Sequence, residues 1–357
     1  MSFDCILTSK NKYNDVSSNE LIVVDNITKI TTDTISNVTT DPSNNSIFDT
    51  ISSETTISMP ENTIKHLVFS GGGPAGLISY GACKQLHKHK FWELKNIKSI
   101  YGTSIGALVG LIVSLGYEWN IMDDYLIKRP WNKVFKISLD NFLNCFYEKG
   151  LLGKEVICSL IEPLLKAKDL AANITFEELY KHNGIELHMY TANINNNVIE
   201  LVDLSYLTHK DLSICNGLCM TMSYPFVFKP VIIDNICYID GGILNNFPLH
   251  ECIEQQKCDE NDILAFKTSL ERNKESVNEE STIADYLYIL IEKMQKMIRK
   301  NTNNYNCKNI VRCFTGDILR LHDWMNIVLD ESSRTKLINK GVDLANVFLK
   351  NKLELSV

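Results

Sequence analysis

Hydrophobic and polar positions divide the chain into a polar leading segment and a longer, apolar-rich remainder. Residues 1–60 are dominated by Ser, Thr, Asn and Asp, and their apolar residues occur only in short runs. Such a composition buries too little apolar surface to offset the entropy lost on ordering, so we predict a disordered tail. From about Ile64 onward, short apolar runs of strand length alternate with segments of helical period.

One strand–turn–helix pattern organises the folded part. The run Ile97–Tyr101 predicts a short strand, and residues 107–115 are apolar nearly all round, which predicts a buried helix. Between them, Gly102, Ser104 and Gly106 form a G-x-S-x-G spacing. Small flanking residues at this spacing let a strand and a helix pass close together while a strained serine points its hydroxyl outward, as in a nucleophile turn. An ordinary strand-to-helix loop is the alternative interpretation.

A glycine-rich loop follows the first predicted strand, His66–Ser70. It has the sequence Gly71-Gly72-Gly73-Pro74-Ala75-Gly76 and opens a predicted helix over 77–89. Free amide hydrogens at a helix start favour an anion. One interpretation is a dinucleotide site, because Gly71, Gly73 and Gly76 fit G-x-G-x-x-G; that interpretation needs an acidic residue at the end of the next strand, where Gly102 stands instead. The other is an oxyanion hole beside the serine.

A third motif follows a predicted hairpin. Val231–Ile233 and Ile236–Ile239 are strand-like runs on either side of Asp234-Asn235. Asp240 ends the second run and is followed by Gly241 and Gly242. This sequence is consistent with a plain Asp-Gly turn. It is also consistent with a carboxylate held at a strand end, where the glycines let the backbone approach the serine.

The remaining elements are predicted from periodicity alone. Strands are expected at 186–192, 198–202 and 260–267, a loop at 149–153, and helices at 117–130, 131–147, 154–165, 212–222, 281–300 and in most of 318–357. The helix at 281–300 carries Lys293, Lys296, Arg299 and Lys300 in its last turns, which favours a solvated face paired with the helix dipole. Contact with a membrane surface is the alternative.

Composition narrows the classes of function and compartment. The net charge of −7 gives no basic surface for nucleic acid. The 11 cysteines are odd in number and contain no C-x-x-C pair, so we predict buried free thiols rather than zinc ligands or disulfides. No signal peptide is evident, and the longest apolar run is about half a bilayer span. We therefore expect an intracellular protein, soluble or peripherally attached to membranes. The sequence carries no signature of an oligomeric state.

The glycine loop, the G-x-S-x-G turn and the Asp-Gly-Gly motif stand in an order that resembles the patatin-like phospholipase family of lipid acyl hydrolases. The stretch Tyr238–Pro248, of the form Asp-Gly-Gly-x-x-Asn-Asn-x-Pro, is especially similar. The resemblance covers roughly Ile64–Asp262. It implies an α/β, three-layer patatin-like fold with a mainly parallel central sheet and helices on both faces. The predicted domains are a catalytic domain over 61–275, which contains the region of resemblance, and a helical C-terminal extension over 276–357, which lies outside that region and packs on the core.

The resemblance also implies a mechanism. Ser104 matches the nucleophile of a Ser–Asp dyad, Asp240 matches its base, and Gly71, Gly72 and Gly73 match the oxyanion loop. The implied reaction passes through an acyl-enzyme and needs no cofactor or metal. Its substrate is a phospholipid or neutral lipid, which the protein reaches by peripheral attachment to a membrane surface. Two positions depart from the family pattern: Ala75 stands where Arg or Lys is usual, and Met220-Thr221-Met222-Ser223-Tyr224-Pro225 replaces a Ser-rich segment.

Three competing hypotheses remain at this stage. An ordinary α/β-hydrolase triad would use His250 or His322 as the base. A dinucleotide-binding protein would use the loop Gly71–Gly76. A catalytically weak lipid-binding member of the family is motivated by Ala75.

Overall fold

A computed structural model describes residues 64–269, 276–299, 307–314 and 321–354. The predicted disordered tail, residues 1–60, lies outside them. The strands are β1 His66–Phe69, β2 Ser99–Thr103, β3 Gly150–Leu152, β4 Glu186–Asn193, β5 Glu200–Leu204, β6 Phe226–Phe228, β7 Val231–Ile233, β8 Ile236–Asp240, β9 Ile263–Ser269 and β10 Ile310–Phe314. The α-helices are α1 Gly76–Lys88, α2 Ile105–Ser114, α3 Trp119–Lys128, α4 Leu139–Glu148, α5 Lys154–Lys166, α6 Phe176–Asn183, α7 Ile214–Thr221, α8 Leu249–Gln256, α9 Ile283–Arg299, α10 Leu321–Leu329 and α11 Glu331–Glu354.

The central sheet brings the three sequence motifs to one place. Its strand order is β10-β9-β1-β2-β4-β8-β7, with β5 also paired to β4. The first five strands are parallel, so the loops that leave β1 and β2 emerge at the same edge. Strand β8 is antiparallel to β4 and pairs Asp240 with Thr191, while β2 pairs Thr103 with Tyr190. This register sets Asp240 level with the residue that follows Thr103, which is Ser104.

Helices cover both faces of the sheet. Ile100 points to one face, where Gly110 of α2 packs against its side chain. Its neighbour Tyr101 points to the other face and clusters with Leu249 and Cys252 of α8. Because successive strand residues alternate between the faces, these contacts define helical layers on opposite sides. The predicted three-layer α/β fold with a mainly parallel sheet is confirmed.

The C-terminal region contributes to the sheet as well as to a helical layer. Strand β10 extends the sheet in parallel beside β9, and it lies in a stretch for which periodicity predicted no strand. Helix α11 crosses α1 closely, because Gly81 and Gly341 remove side chains at the crossing: a Cβ at either position would stand 2.1 Å from a carbonyl oxygen of the opposite helix. Residues Pro60–Val357 form one compact unit. A domain boundary at residue 275 stays a prediction.

Two local predictions are wrong. The predicted loop at 149–153 contains β3, which pairs in parallel with β6 to form a separate two-stranded sheet. The prediction of free thiols fails for Cys158 and Cys215, whose sulfurs are bonded, with Cα atoms 5.5 Å apart. They lie on α5 and α7, 57 residues apart, so only tertiary packing brings them together. The Cys219 sulfur lies within 4.8 Å of both.

In the part of the chain that the structure describes, no helix combines the length and apolarity that a bilayer span requires.

Candidate active site

Ser104 occupies a strained turn between β2 and α2. Its φ of 55° and ψ of −129° are rare for a residue with a side chain. The predicted glycines allow the backbone of β2, α2 and β1 to approach closely at this turn. A Cβ on Gly102 would lie 2.5 Å from the Ala107 nitrogen, and one on Gly106 would lie 2.4 Å from the Phe69 carbonyl oxygen. The G-x-S-x-G spacing is therefore required by the backbone packing of this turn, as in a nucleophile turn.

Thr221 holds the strained turn from the end of α7. Its hydroxyl oxygen accepts the Ser104 amide hydrogen at 2.9 Å and donates in turn to the Tyr190 carbonyl. The side chain is fully buried. Sequence reasoning missed this residue, since Thr221 lies 117 positions from Ser104 and threonine at a helix end is common.

Asp240 lies directly beside Ser104. The carboxylate is 2% exposed, accepts the Gly242 amide hydrogen at 2.7 Å and lies close enough to the Ser104 hydroxyl for that hydroxyl to lower its pKa. Gly241 lets the strand end approach β4, because a Cβ there would stand 2.2 Å from the Tyr190 carbonyl oxygen. The two glycines after Asp240 thus serve the close approach that the sequence suggested.

Burial sets the protonation of this carboxylate. It raises the pKa of Asp240 to about 6, against the opposing effects of the hydrogen bonds from Ser104 and from the Gly242 amide. At neutral pH the carboxylate is mostly ionised and can accept a proton. A pKa near the working pH also makes it a stronger base than an exposed aspartate.

Two amides of the glycine loop have no hydrogen-bond acceptor among the described residues. Gly72 and Gly73 have φ values of 153° and 55°, which are open to glycine, and neither amide donates to a described residue. The Gly71 amide is engaged instead: it donates to the Asn246 backbone carbonyl at 2.9 Å. Asn246 returns a hydrogen bond from its side-chain Nδ2 to the Gly71 carbonyl at 3.0 Å. Of the three predicted donors, the loop therefore offers Gly72 and Gly73.

Gly76 and Ala75 complete the start of α1. Gly76 lets α1 begin against α2, since a Cβ there would lie 2.4 Å from the Ile105 side chain. Ala75 is buried and does not line the cavity beside Ser104.

A largely apolar cavity of about 390 Å³ lies beside Ser104, Asp240 and the glycine loop. Its walls come from α2, α3, α5 and the segment between α3 and α4, and include Leu108, Val109, Ile112, Leu126, Trp131 and Leu160. Such a cavity suits a hydrocarbon chain rather than a polar nucleotide.

The histidine-based alternative finds no support in this geometry. His250 lies on α8 with its Nε2 3.2 Å from a carboxylate oxygen of Glu254, and no histidine of the described ranges lines the cavity. The side chain of His322 lies outside the described residues.

The comparison with protein families decides the assignment. The model named Patatin-like phospholipase matches residues 67–253, more than half of the chain. The chain belongs to the patatin-like phospholipase family. The matched range contains all of the residues predicted for the site, and the predicted resemblance is confirmed.

Individual relatives agree with the family assignment. The protein named "Probable lipid hydrolase 463L" of Invertebrate iridescent virus 6 is 27% identical over 310 residues, which cover 86% of this chain and 96% of that protein. The mouse protein named "Patatin-like phospholipase domain-containing protein 2" is 26% identical over 193 residues, 54% of this chain and 36% of that protein. Family and relatives together support a lipid hydrolase function.

Two solved structures resemble this chain at low sequence identity. VipD from Legionella pneumophila superposes with a TM-score of 0.48 at 18% identity, over 81% of this chain and 67% of that one. ExoU from Pseudomonas aeruginosa, solved as a heterodimeric complex with SpcU, gives a TM-score of 0.42 at 16% identity, over 82% of this chain and 52% of that one.

Proposed function

We propose that this protein is a serine lipid acyl hydrolase of phospholipase A type, which cleaves fatty-acyl esters through a Ser104–Asp240 dyad. The observation that carries the proposal is that the buried Asp240 carboxylate lies beside Ser104, level with it across the sheet, in the wall of an apolar cavity. A serine hydroxyl is a weak nucleophile until a base within hydrogen-bond reach accepts its proton.

Acylation follows from this arrangement. The Ser104 oxygen attacks the ester carbonyl carbon as its proton passes to Asp240, and the carbonyl oxygen becomes an oxyanion. The Gly72 and Gly73 amides donate hydrogen bonds to that oxyanion; each such donor is worth roughly 10²–10³ in rate. When the tetrahedral intermediate collapses, the ester C–O bond breaks, and the leaving alcohol takes the proton from Asp240.

Deacylation repeats the same steps with water. Asp240 accepts a proton from a water molecule as the water oxygen attacks the acyl-enzyme carbonyl carbon. The same two amides stabilise the second oxyanion. Collapse returns the proton to Ser104 and releases the fatty acid. Both half-reactions use one base, which fits a site whose described walls hold no histidine.

The substrate class follows from the cavity walls. An apolar cavity beside the nucleophile accepts the acyl chain of a phospholipid or neutral lipid and leaves the scissile ester at Ser104. Such substrates reside in membranes or lipid droplets, so the enzyme is expected to act at a lipid surface as a peripheral protein.

Two assays test this proposal. A fluorophosphonate probe should label the wild type on Ser104 and leave Ser104→Ala unlabelled. Fatty-acid release from mixed phospholipid vesicles should fall by several orders of magnitude in both Ser104→Ala and Asp240→Asn. Wild-type protein that neither reacts with the probe nor hydrolyses a short-chain ester would favour a lipid-binding function instead.

A further inference from the structure

Helix α4 presents its apolar face to solvent. Leu139, Phe142, Leu143, Phe146 and Tyr147 are 60 to 84% exposed, and no residue of the helix is buried. Their spacing, at i, i+3, i+4, i+7 and i+8, places them along one stripe. We refer to these five side chains as the α4 stripe.

The helix that carries the stripe is well formed. Ser138 caps its N-terminus through a capping box with Asn141, in which the Asn141 amide donates to the Ser138 hydroxyl at 3.1 Å. An amphipathic helix of a globular protein normally buries its apolar stripe. A contiguous exposed stripe of aromatic and leucine side chains marks an interaction surface.

The chain segments on either side of α4 line the catalytic cavity. Phe135 precedes the helix and Leu152 follows it, and both line the cavity. Leu152 belongs to β3, which pairs with β6, whose Val227 and Phe228 are also in the cavity wall. The stripe is therefore joined at both ends to segments that line the space leading to Ser104.

A second apolar surface borders the same cavity. On α9, the side chains of Ile283, Tyr286, Met294 and Met297 are exposed. Gln295 of the same helix is buried and lines the cavity. Two helices with exposed apolar side chains thus contribute to, or adjoin, the wall of one cavity.

The charges beside the α4 stripe fit an anionic lipid surface. Lys133 and Lys136 are exposed just before the helix and Lys149 directly after it, while the helix itself carries Asp140 and the ion-paired Glu148. An amphipathic helix with aromatic and leucine side chains on one face, flanked by lysines, has the composition of helices that lie in the membrane interface.

We propose that the α4 stripe docks this protein on an anionic phospholipid surface and places the cavity mouth against the lipid. The role of docking in catalysis rests on the proposed lipid hydrolase activity. Binding of the stripe to lipid is independent of catalysis and can be measured without it. A lipid surface is favoured because exposed lysines flank the stripe on both sides and because the segments next to α4 line a cavity that takes up lipid.

The test uses the full chain with Ser104→Ala, so that vesicles stay intact. The parent is the Ser104→Ala protein, and the α4 variant carries Phe142→Gln and Phe146→Gln in addition. Both are co-sedimented with vesicles of equal parts phosphatidylcholine and phosphatidylserine. Glutamine keeps helix propensity, and both positions are exposed, so folding is preserved. We expect the partition coefficient to fall by about tenfold for each phenylalanine. Pure phosphatidylcholine vesicles should bind the parent more weakly, because they lack the charge that the lysines meet.

The matched control is Val198→Gln with Leu207→Gln, which changes two exposed apolar side chains that do not line the cavity. It should bind vesicles like the parent. In enzymes that retain Ser104, the α4 variant should lose hydrolysis of vesicle lipid but keep hydrolysis of a soluble short-chain ester. A wild-type protein that hydrolyses neither substrate would refute the proposed function. The sedimentation result would still show whether the α4 stripe binds vesicles.

Two outcomes would overturn the docking proposal. One is equal vesicle binding by the α4 variant and its parent. The other is a parent that light scattering shows to be dimeric and an α4 variant that is monomeric with unchanged vesicle binding; the stripe would then be a contact between copies of the chain.

Discussion

The change Thr221→Val removes one hydroxyl and keeps the side-chain shape. In the structure that hydroxyl accepts the Ser104 amide hydrogen at 2.9 Å and donates to the Tyr190 carbonyl. Valine leaves both groups without this partner. An unsatisfied buried donor or acceptor costs about 1–3 kcal/mol. Ser104 is also held at a positive φ, which costs about 1–3 kcal/mol and persists only while its surroundings enforce it.

The loss should appear in catalysis as well as in stability. A loss of about 2 kcal/mol of support for the turn lowers the ratio of reactive to relaxed Ser104 geometries by roughly thirtyfold. We expect kcat on a soluble short-chain ester to fall by up to about that factor, with little change in KM. Urea unfolding should show a loss of about 2 kcal/mol, and Thr221→Ser should restore most of both.

The control for this prediction is Thr191→Val. Thr191 is equally buried, and its hydroxyl donates to the carbonyls of Met220 and Ile239 at 3.1 and 2.8 Å rather than receiving the Ser104 amide. It should lose comparable stability and much less kcat. If both valine variants lose stability and kcat equally, Thr221 stabilises the fold without a specific effect on the serine turn, and the reasoning is refuted.

Two further predictions concern the base and the glycine loop. Because burial raises the pKa of Asp240 to about 6 and the base must be ionised, kcat/KM should rise with pH through about 6 and level off above 7; a profile flat down to pH 5 would exclude Asp240 as the base. Replacing Asn246 by Leu removes the side-chain hydrogen bond to the Gly71 carbonyl at 3.0 Å, so kcat should fall by about tenfold with smaller changes in KM. Asn246→Gln should be less active than the wild type because its side-chain amide is displaced. Unchanged kcat in the leucine variant would show that the loop is held without this side chain.

The features that the sequence predicted correctly depend on local backbone chemistry. The turn at Asp234-Asn235 has φ values of 51° and 63°, which these residue types tolerate, and the hairpin forms around it as expected. Gly102 and Gly106 are required within a few residues of Ser104, so the spacing, with a strand before it and an apolar helix after it, predicts the turn. Such signals need no knowledge of distant partners.

The features that the sequence did not reveal depend on distant partners. Strands β3 and β10 are three and five residues long and exist because β6 and β9 supply their hydrogen bonds. The Gly71 amide is engaged by Asn246, which is 175 positions away. The bond between Cys158 and Cys215 likewise follows from the packing of α5 on α7. No local pattern encodes these pairings.

The central claim is that Asp240 acts as the base for Ser104, and Asp240→Asn tests it most directly. Burial raises the pKa of Asp240 above its unfolded value, so this group stabilises the folded state at low pH and loses that contribution as pH rises through about 6. A neutral asparagine should therefore fold at pH 7 at least as stably as the wild type.

The measurement is fatty-acid release from phospholipid vesicles at pH 7, beside urea unfolding of the same samples. The account predicts a fully folded Asp240→Asn protein whose release rate is several orders of magnitude below wild type, matching Ser104→Ala. A folded Asp240→Asn protein that hydrolyses lipid within a few-fold of the wild-type rate would contradict it.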